Sequence, residues 1–188
     1  VIEIEKDLGV RSIFLFYGGV SNKSLKKTFM DPGYSISDSR IADHLRNLSS
    51  DGWGVGLHPS FTAWKDFSEL ACERKRFENI TQNKVQLCRQ HWLKFGWSST
   101  WQAQEKAGIE WDSTLAFNDY TGLRNGVALA FNPWDSDTKS AMTLKCIPTI
   151  LMDSHLYDYN NLNESERTTK MRHWLDEIKS VGGSAAVN

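Results

Sequence analysis

The run Trp53-Gly54-Val55-Gly56-Leu57-His58-Pro59-Ser60-Phe61 constrains this chain more than any other stretch. It is apolar and dotted with glycine, and it ends in a histidine. The proline that follows removes the N–H that further ladder pairing needs. An amphipathic pattern precedes it, from Ser37 or Asp38 to about Ser49, with Ile41, Leu45 and Leu48 on one face. A charged helical pattern follows it, from about Trp64 to Ile80. A strand set between helices reads as a buried parallel strand, which delivers one polar side chain to the mouth of an α/β fold. His58 is therefore the first candidate for a site. The plain alternative is a strand-end histidine that satisfies a backbone carbonyl, and other residues must choose between the two.

The rest of the chain repeats this alternation. Residues 1–8 read as the tail of a helix closed by Gly9, and Arg11 to Tyr17 as an apolar strand ended by Gly18-Gly19. Residues 20–37 are polar, turn at Pro32-Gly33, and read as a rim loop. Lys84 to Gln90 is expected as a strand. Ser98 or Ser99 opens a helix that runs to about Ala107 and closes at Gly108. Ile109 to Trp111 and Val127 to Phe131 are expected as strands. So is Cys146 to Leu151, which Pro148 interrupts and so marks as an edge or bulge. Asn163 or Ser165 caps a last helix to about Val181, and Ser184 to Asn188 begins one more strand. Strands alternating with helices at this spacing imply a parallel sheet or barrel of βα units. With 188 residues, no internal repeat and no linker, residues 1–188 are expected as a single domain.

Charge excludes some partners. Lys plus Arg total 22 against 23 Asp plus Glu, for a formal net charge of -1, so neither nucleic acid nor an anionic membrane is favoured. No apolar run approaches the roughly 18 residues that span a bilayer, and no signal peptide is recognised. Cys72, Cys88 and Cys146 lack metal-site spacing and read as small buried hydrophobes. No glycine-rich loop opens a helix, which disfavours phosphate binding.

Four strand ends are polar: His58-Pro59-Ser60, Arg89-Gln90-His91-Trp92, Asp112-Ser113-Thr114 and Asp153-Ser154-His155. Together they place histidines, an arginine and carboxylates at one end of the fold. His44 and His173 lie on helices and read as solvated surface. Trp92, Trp97, Trp101 and Trp134 are candidates for a sugar-stacking wall, whereas Trp174 reads as core.

These motifs, in this order, resemble the polysaccharide deacetylases of carbohydrate esterase family four, in a divergent bacterial branch. The segment RSIFLFYGG resembles the family's second strand, and VGLHPSF its histidine motif. Arg89-Gln90-His91-Trp92 resembles the Arg-x-Pro-Tyr motif, with His91 in the proline's place. Trp111-Asp112 and the loop to Gly122-Leu123-Arg124 resemble the next motif region. The resemblance implies a distorted (β/α) barrel and a divalent metal, usually zinc, held by Asp-His-His. It also implies a carboxylate that activates the metal-bound water, and hydrolysis of acetyl groups from amino sugars or xylan.

The sequence departs from that pattern. The opening motif with its two aspartates is not found, the usual second histidine falls at Thr62, and the chain stops at Ala186-Val187-Asn188 where a last active-site histidine would follow. An incomplete barrel is therefore expected. His58 is the expected metal ligand, with His91 as a substitute for the second. Arg89 and Asp112 are the catalytic candidates and are expected to pair. Trp92, Asp153 and Arg124 are the substrate-binding candidates. Metal is expected to be weak or absent, the ligand a carbohydrate, and the open edge of the Arg11–Tyr17 strand a route to a homo-oligomer. Two functions remain: a metal-dependent deacetylase, and a catalytically silent carbohydrate-binding or scaffold member of the same fold.

Overall fold

The organising run forms strand β2 (Gly54–His58), which pairs in parallel with β1 (Ile13–Tyr17), Ile13 opposite Gly54 and Tyr17 opposite His58. The computed structural model describes residues 1–19 and 25–188. They form two compact units, 1–110 and 111–188.

In the first unit, helix α1 (Ile2–Leu8) ends at Gly9, whose left-handed φ of 68° closes it. Part of the expected rim loop is helical, as α2 (Leu25–Met30), and residues 20–24 of that loop lie outside the described residues. Helix α3 (Ser39–Ser50) starts where the Asp38 carboxylate accepts the Arg40 N–H, and it buries Ala42, Leu45 and Leu48 at helical spacing. After a short 3₁₀ turn, Ala63–Lys65, the Asp66 carboxylate caps α4 (Phe67–Thr81) by accepting the Ser68 and Glu69 N–H groups. That helix buries Leu70, Glu73 and Phe77. Helix α5 (Thr100–Lys106) follows Ser99, and Gly108 takes a φ of 77° just beyond it.

The strand expected over Lys84 to Gln90 reduces to one parallel bridge, Leu57 to Cys88. The Leu57 N–H donates to Leu87 O at 2.8 Å, and the Arg89 N–H to Leu57 O at 3.1 Å. Two bonds suffice to lay residues 87–89 alongside β2. The approach is close enough to require glycine at position 56, where a Cβ would lie 2.6 Å from Leu87 O and 2.6 Å from Leu15 Cδ2. Leu45, Leu57, Leu70, Phe77 and Cys88 are fully buried around this ladder. Burial of each large side chain contributes about 1.5–3 kcal/mol.

The second unit is built from shorter pieces. Strand β3 (Trp111–Asp112) pairs in parallel with β6 (Lys145–Cys146), and β7 (Thr149–Leu151) with β8 (Ala186–Val187). Pro148 separates β6 from β7, as a residue without an N–H must. Strands β4 (Trp134–Asp135) and β5 (Ser140–Ala141) form an antiparallel hairpin that the sequence reading left unassigned. The strand expected at Val127 to Phe131 does not form a ladder. Its Ala128 carbonyl accepts the Ser184 N–H, and only Phe131 bridges Cys146. The expectation rested on apolar content, yet Val127 and Leu129 are exposed. Helices α6 (Asp153–Tyr157) and α7 (Glu164–Ser180) complete the unit, α7 opened by a reciprocal Asn163–Glu166 capping box. Ile150, Leu151, Leu156 and Ile178 form its core, with Trp174 and Leu123 packed against them.

Among the described residues the ladders are two-stranded, and no closed barrel is formed. Strands of two to five residues, broken at Pro148 and Gly18, are too short to close one. Among them no helix is long and apolar enough to cross a membrane.

Candidate functional site

His58 is the last residue of β2, and Pro59 ends the ladder behind it. Its Nδ1–H donates to Arg89 O at 2.8 Å. The carbonyl bond that served as the plain reading is therefore present, but the other ring nitrogen has a second partner. Nε2 of His58 lies 2.8 Å from Nδ1 of His91, and the rings meet edge-on at 4.8 Å between centroids. The Nε2–H of His91 in turn donates to Met30 O at 2.6 Å.

Proton counting defines this chain of contacts. Carbonyl oxygens only accept, so both outer nitrogens carry hydrogen. The inner pair then needs one more proton between two lone pairs, and 2.8 Å is the spacing of an N–H···N bond. Burial first, and then the charge on His91, pull the His58 imidazole down to about 4.

Trp92 adds a second donor to Met30 O, from Nε1 at 3.3 Å, while its ring is 62% exposed. Trp92 and Leu93 both adopt left-handed backbone, with φ of 58° and 48°. Non-glycine residues hold that conformation only where surrounding contacts enforce it. Beside the pair lies a carboxylate network the sequence reading missed. The Ser60 N–H donates to Glu73 Oε2 at 2.9 Å, and its hydroxyl contacts both Glu73 and Glu69. Thr62 donates to Glu69 at 2.8 Å. Asp31 accepts the Phe61 N–H at 2.7 Å and the Tyr17 hydroxyl at 3.2 Å. Burial, with Asp31 and Glu73 nearby, pushes the Tyr17 phenol up. One signal was legible: Glu69 and Glu73 stand four apart on one face of a helix that starts just after Ser60.

The other expected residues are placed as follows. Arg89 is buried; its carbonyl accepts the His58 Nδ1–H, and its charge also helps to lower the His58 imidazole. In the second unit Asp112 is fully buried and accepts the Thr114 hydroxyl, and it helps burial raise the Cys146 thiol. Arg124 donates to Ala116 O at 3.2 Å. Asp153 is exposed in the first turn of α6, where its carboxylate accepts the Ser154 N–H. His155 is structural: Nδ1 accepts the Met152 N–H, Nε2–H donates to Phe117 O, and burial lowers its affinity for a proton. His44 and His173 are exposed, as expected. Trp97 and Trp134 are exposed, whereas Trp101 is buried against Phe95 and Trp97 and is no part of a sugar-facing wall.

The pair suits a metal in part. Each outer N–H is held by a backbone carbonyl, which is how metal-bound imidazoles are oriented. Two ligands are nonetheless fewer than the three or four of a zinc site. No cluster of three histidine, cysteine or carboxylate ligands occurs among the described residues.

No family model matches the chain, and no curated protein matches it. Its fold is similar to a crystal structure from Mycobacterium smegmatis described as a "putative polysaccharide deacetylase". The TM-score is 0.63 at 17% identity, over 99% of this chain and 60% of that one. The likeness is one of fold, and the chain spans about three fifths of that structure's length.

Proposed function

We propose that residues 1–188 are a single polysaccharide deacetylase-like domain, of a divergent bacterial branch, that handles acetylated amino sugars or xylan. One observation carries this reading: an imidazole pair beside an exposed tryptophan at the end of β2, in a fold similar to a deacetylase. In this assignment Trp92 faces the sugar and Arg89 takes a catalytic position, both in the first unit, whereas Asp112, Arg124 and Asp153 lie in the second. A divalent metal, zinc first, would be held by His58 and His91 and would polarise an acetyl carbonyl. With two protein ligands it binds weakly.

A specific observation favours the silent alternative for this chain. The inner nitrogens of His58 and His91 are bonded to each other, and Asp31, Glu69 and Glu73 are engaged by Tyr17, Phe61, Ser60 and Thr62. Residues 1–188 therefore bind carbohydrate without cleaving it. Binding of acetylated chitooligosaccharide and acetylated xylan, followed by tryptophan fluorescence, tests this. Quenching that is lost in Trp92→Ala supports the reading, and the absence of quenching by either sugar contradicts it. We also propose a homo-oligomer formed through β1, which among the described residues pairs only with β2.

A further inference from the structure

We propose that Met30–Tyr34 is a latch over the end of the β1–β2 ladder, which opens as a unit while the core beneath stays folded. Among the bonds that hold this strap, five come from five different donor groups. Met30 O accepts from His91 and Trp92, Asp31 accepts from the Tyr17 hydroxyl and the Phe61 N–H, and the Tyr34 hydroxyl accepts the Tyr17 N–H at 2.7 Å. Side chains and turns make these bonds, not a ladder, so they can break together without unpairing a strand.

The strap has different neighbours on its two flanks. At Met30 it fixes His91 against His58. At Gly33, Tyr34 and Ser35 it forms one wall of an open cavity of about 1000 Å³, whose other walls include Leu15, Phe16 and Ile41. Gly33 is exposed, and a Cβ there would meet nothing within 4 Å. The strap therefore has free volume on one side and polar anchors on the other. The left-handed backbone of Trp92 and Leu93 relaxes once Met30 O is released. Opening frees His91 to swing away from His58 and joins the cavity to the histidine pair. The latch stands on this geometry alone, whichever chemistry the pair performs.

Two backbone amides report the latch directly, because the strap supplies their acceptors: Tyr17 N–H and Phe61 N–H. Leu57 N–H, bonded to Leu87 O inside the ladder, is the internal control. In native-state hydrogen exchange by NMR, the first two should exchange together and at least about tenfold faster than Leu57. His91→Phe, which touches neither amide, should speed both by about tenfold and leave Leu57 unchanged. Tyr17→Phe, which removes the phenol bond to Asp31, should do the same more weakly. Exchange of Tyr17 and Phe61 at the Leu57 rate would overturn the latch. So would acceleration confined to one of the two amides, or no acceleration in either variant.

Discussion

His91 Nδ1 lies 2.8 Å from His58 Nε2, and both outer nitrogens of the pair donate to main-chain carbonyls. One proton is thereby shared between two rings that come from distant parts of the chain. The consequences reach stability, pH response and the reading of function.

Stability should fall as pH drops from 6.5 toward 4. Folding lowers the His58 imidazole from 6.5 to about 4, through burial and then the charge of His91. Between those values the unfolded chain binds the extra proton and the folded chain does not. Stability is therefore fully present above 6.5 and is lost through the window, by at most about 3 kcal/mol. His58→Asn, whose amide N–H can still reach Arg89 O, should flatten this part of the profile. Urea denaturation at half-unit pH steps measures it.

Removal of the Glu73 carboxylate should be costly. Ser60 is buried, and Glu73 accepts both its N–H and its hydroxyl. Glu73→Ala should destabilise by about 2–3 kcal/mol, since it leaves a buried N–H without its acceptor. Glu73→Gln should cost less. Thermal melts of both variants give the comparison, and equal melting temperatures for wild type and Glu73→Ala would contradict the network.

Gly56→Ala should destabilise by about 1–3 kcal/mol through overpacking. The new methyl would press on the Leu87 carbonyl, which holds residues 87–89 in place. The same change should displace Arg89 O and so weaken the His58–His91 contact. Broadening of both imidazole signals in NMR would register that.

Much of this was legible in the sequence because it depends on local chemistry. Gly9, Asp38, Gly108 and Asn163 punctuate helices where their conformations or side chains dictate, and the β2 run is apolar at every position a buried strand needs. His58 and His91 could be paired because both follow the ends of extended runs. Their direct contact could not, since it depends on the left-handed turn at Trp92, which no residue-type signal announces. Asp31 was invisible for a similar reason: a turn aspartate reads as solvated until Phe61 and Tyr17 arrive from elsewhere. The Val127–Phe131 run misled because an apolar stretch on the surface has the same composition as a strand.

Acetate release tests the central claim most directly. Residues 1–188 would be incubated with acetylated chitooligosaccharide and acetylated xylan, with zinc or cobalt added. A carboxylate base must sit about 2.6–3.2 Å from the attacking water and contributes roughly 10² to 10⁴ in rate, and the carboxylates beside His58 are otherwise engaged. The expected result is no release above the metal-only control. Release that disappears in His58→Ala would contradict it.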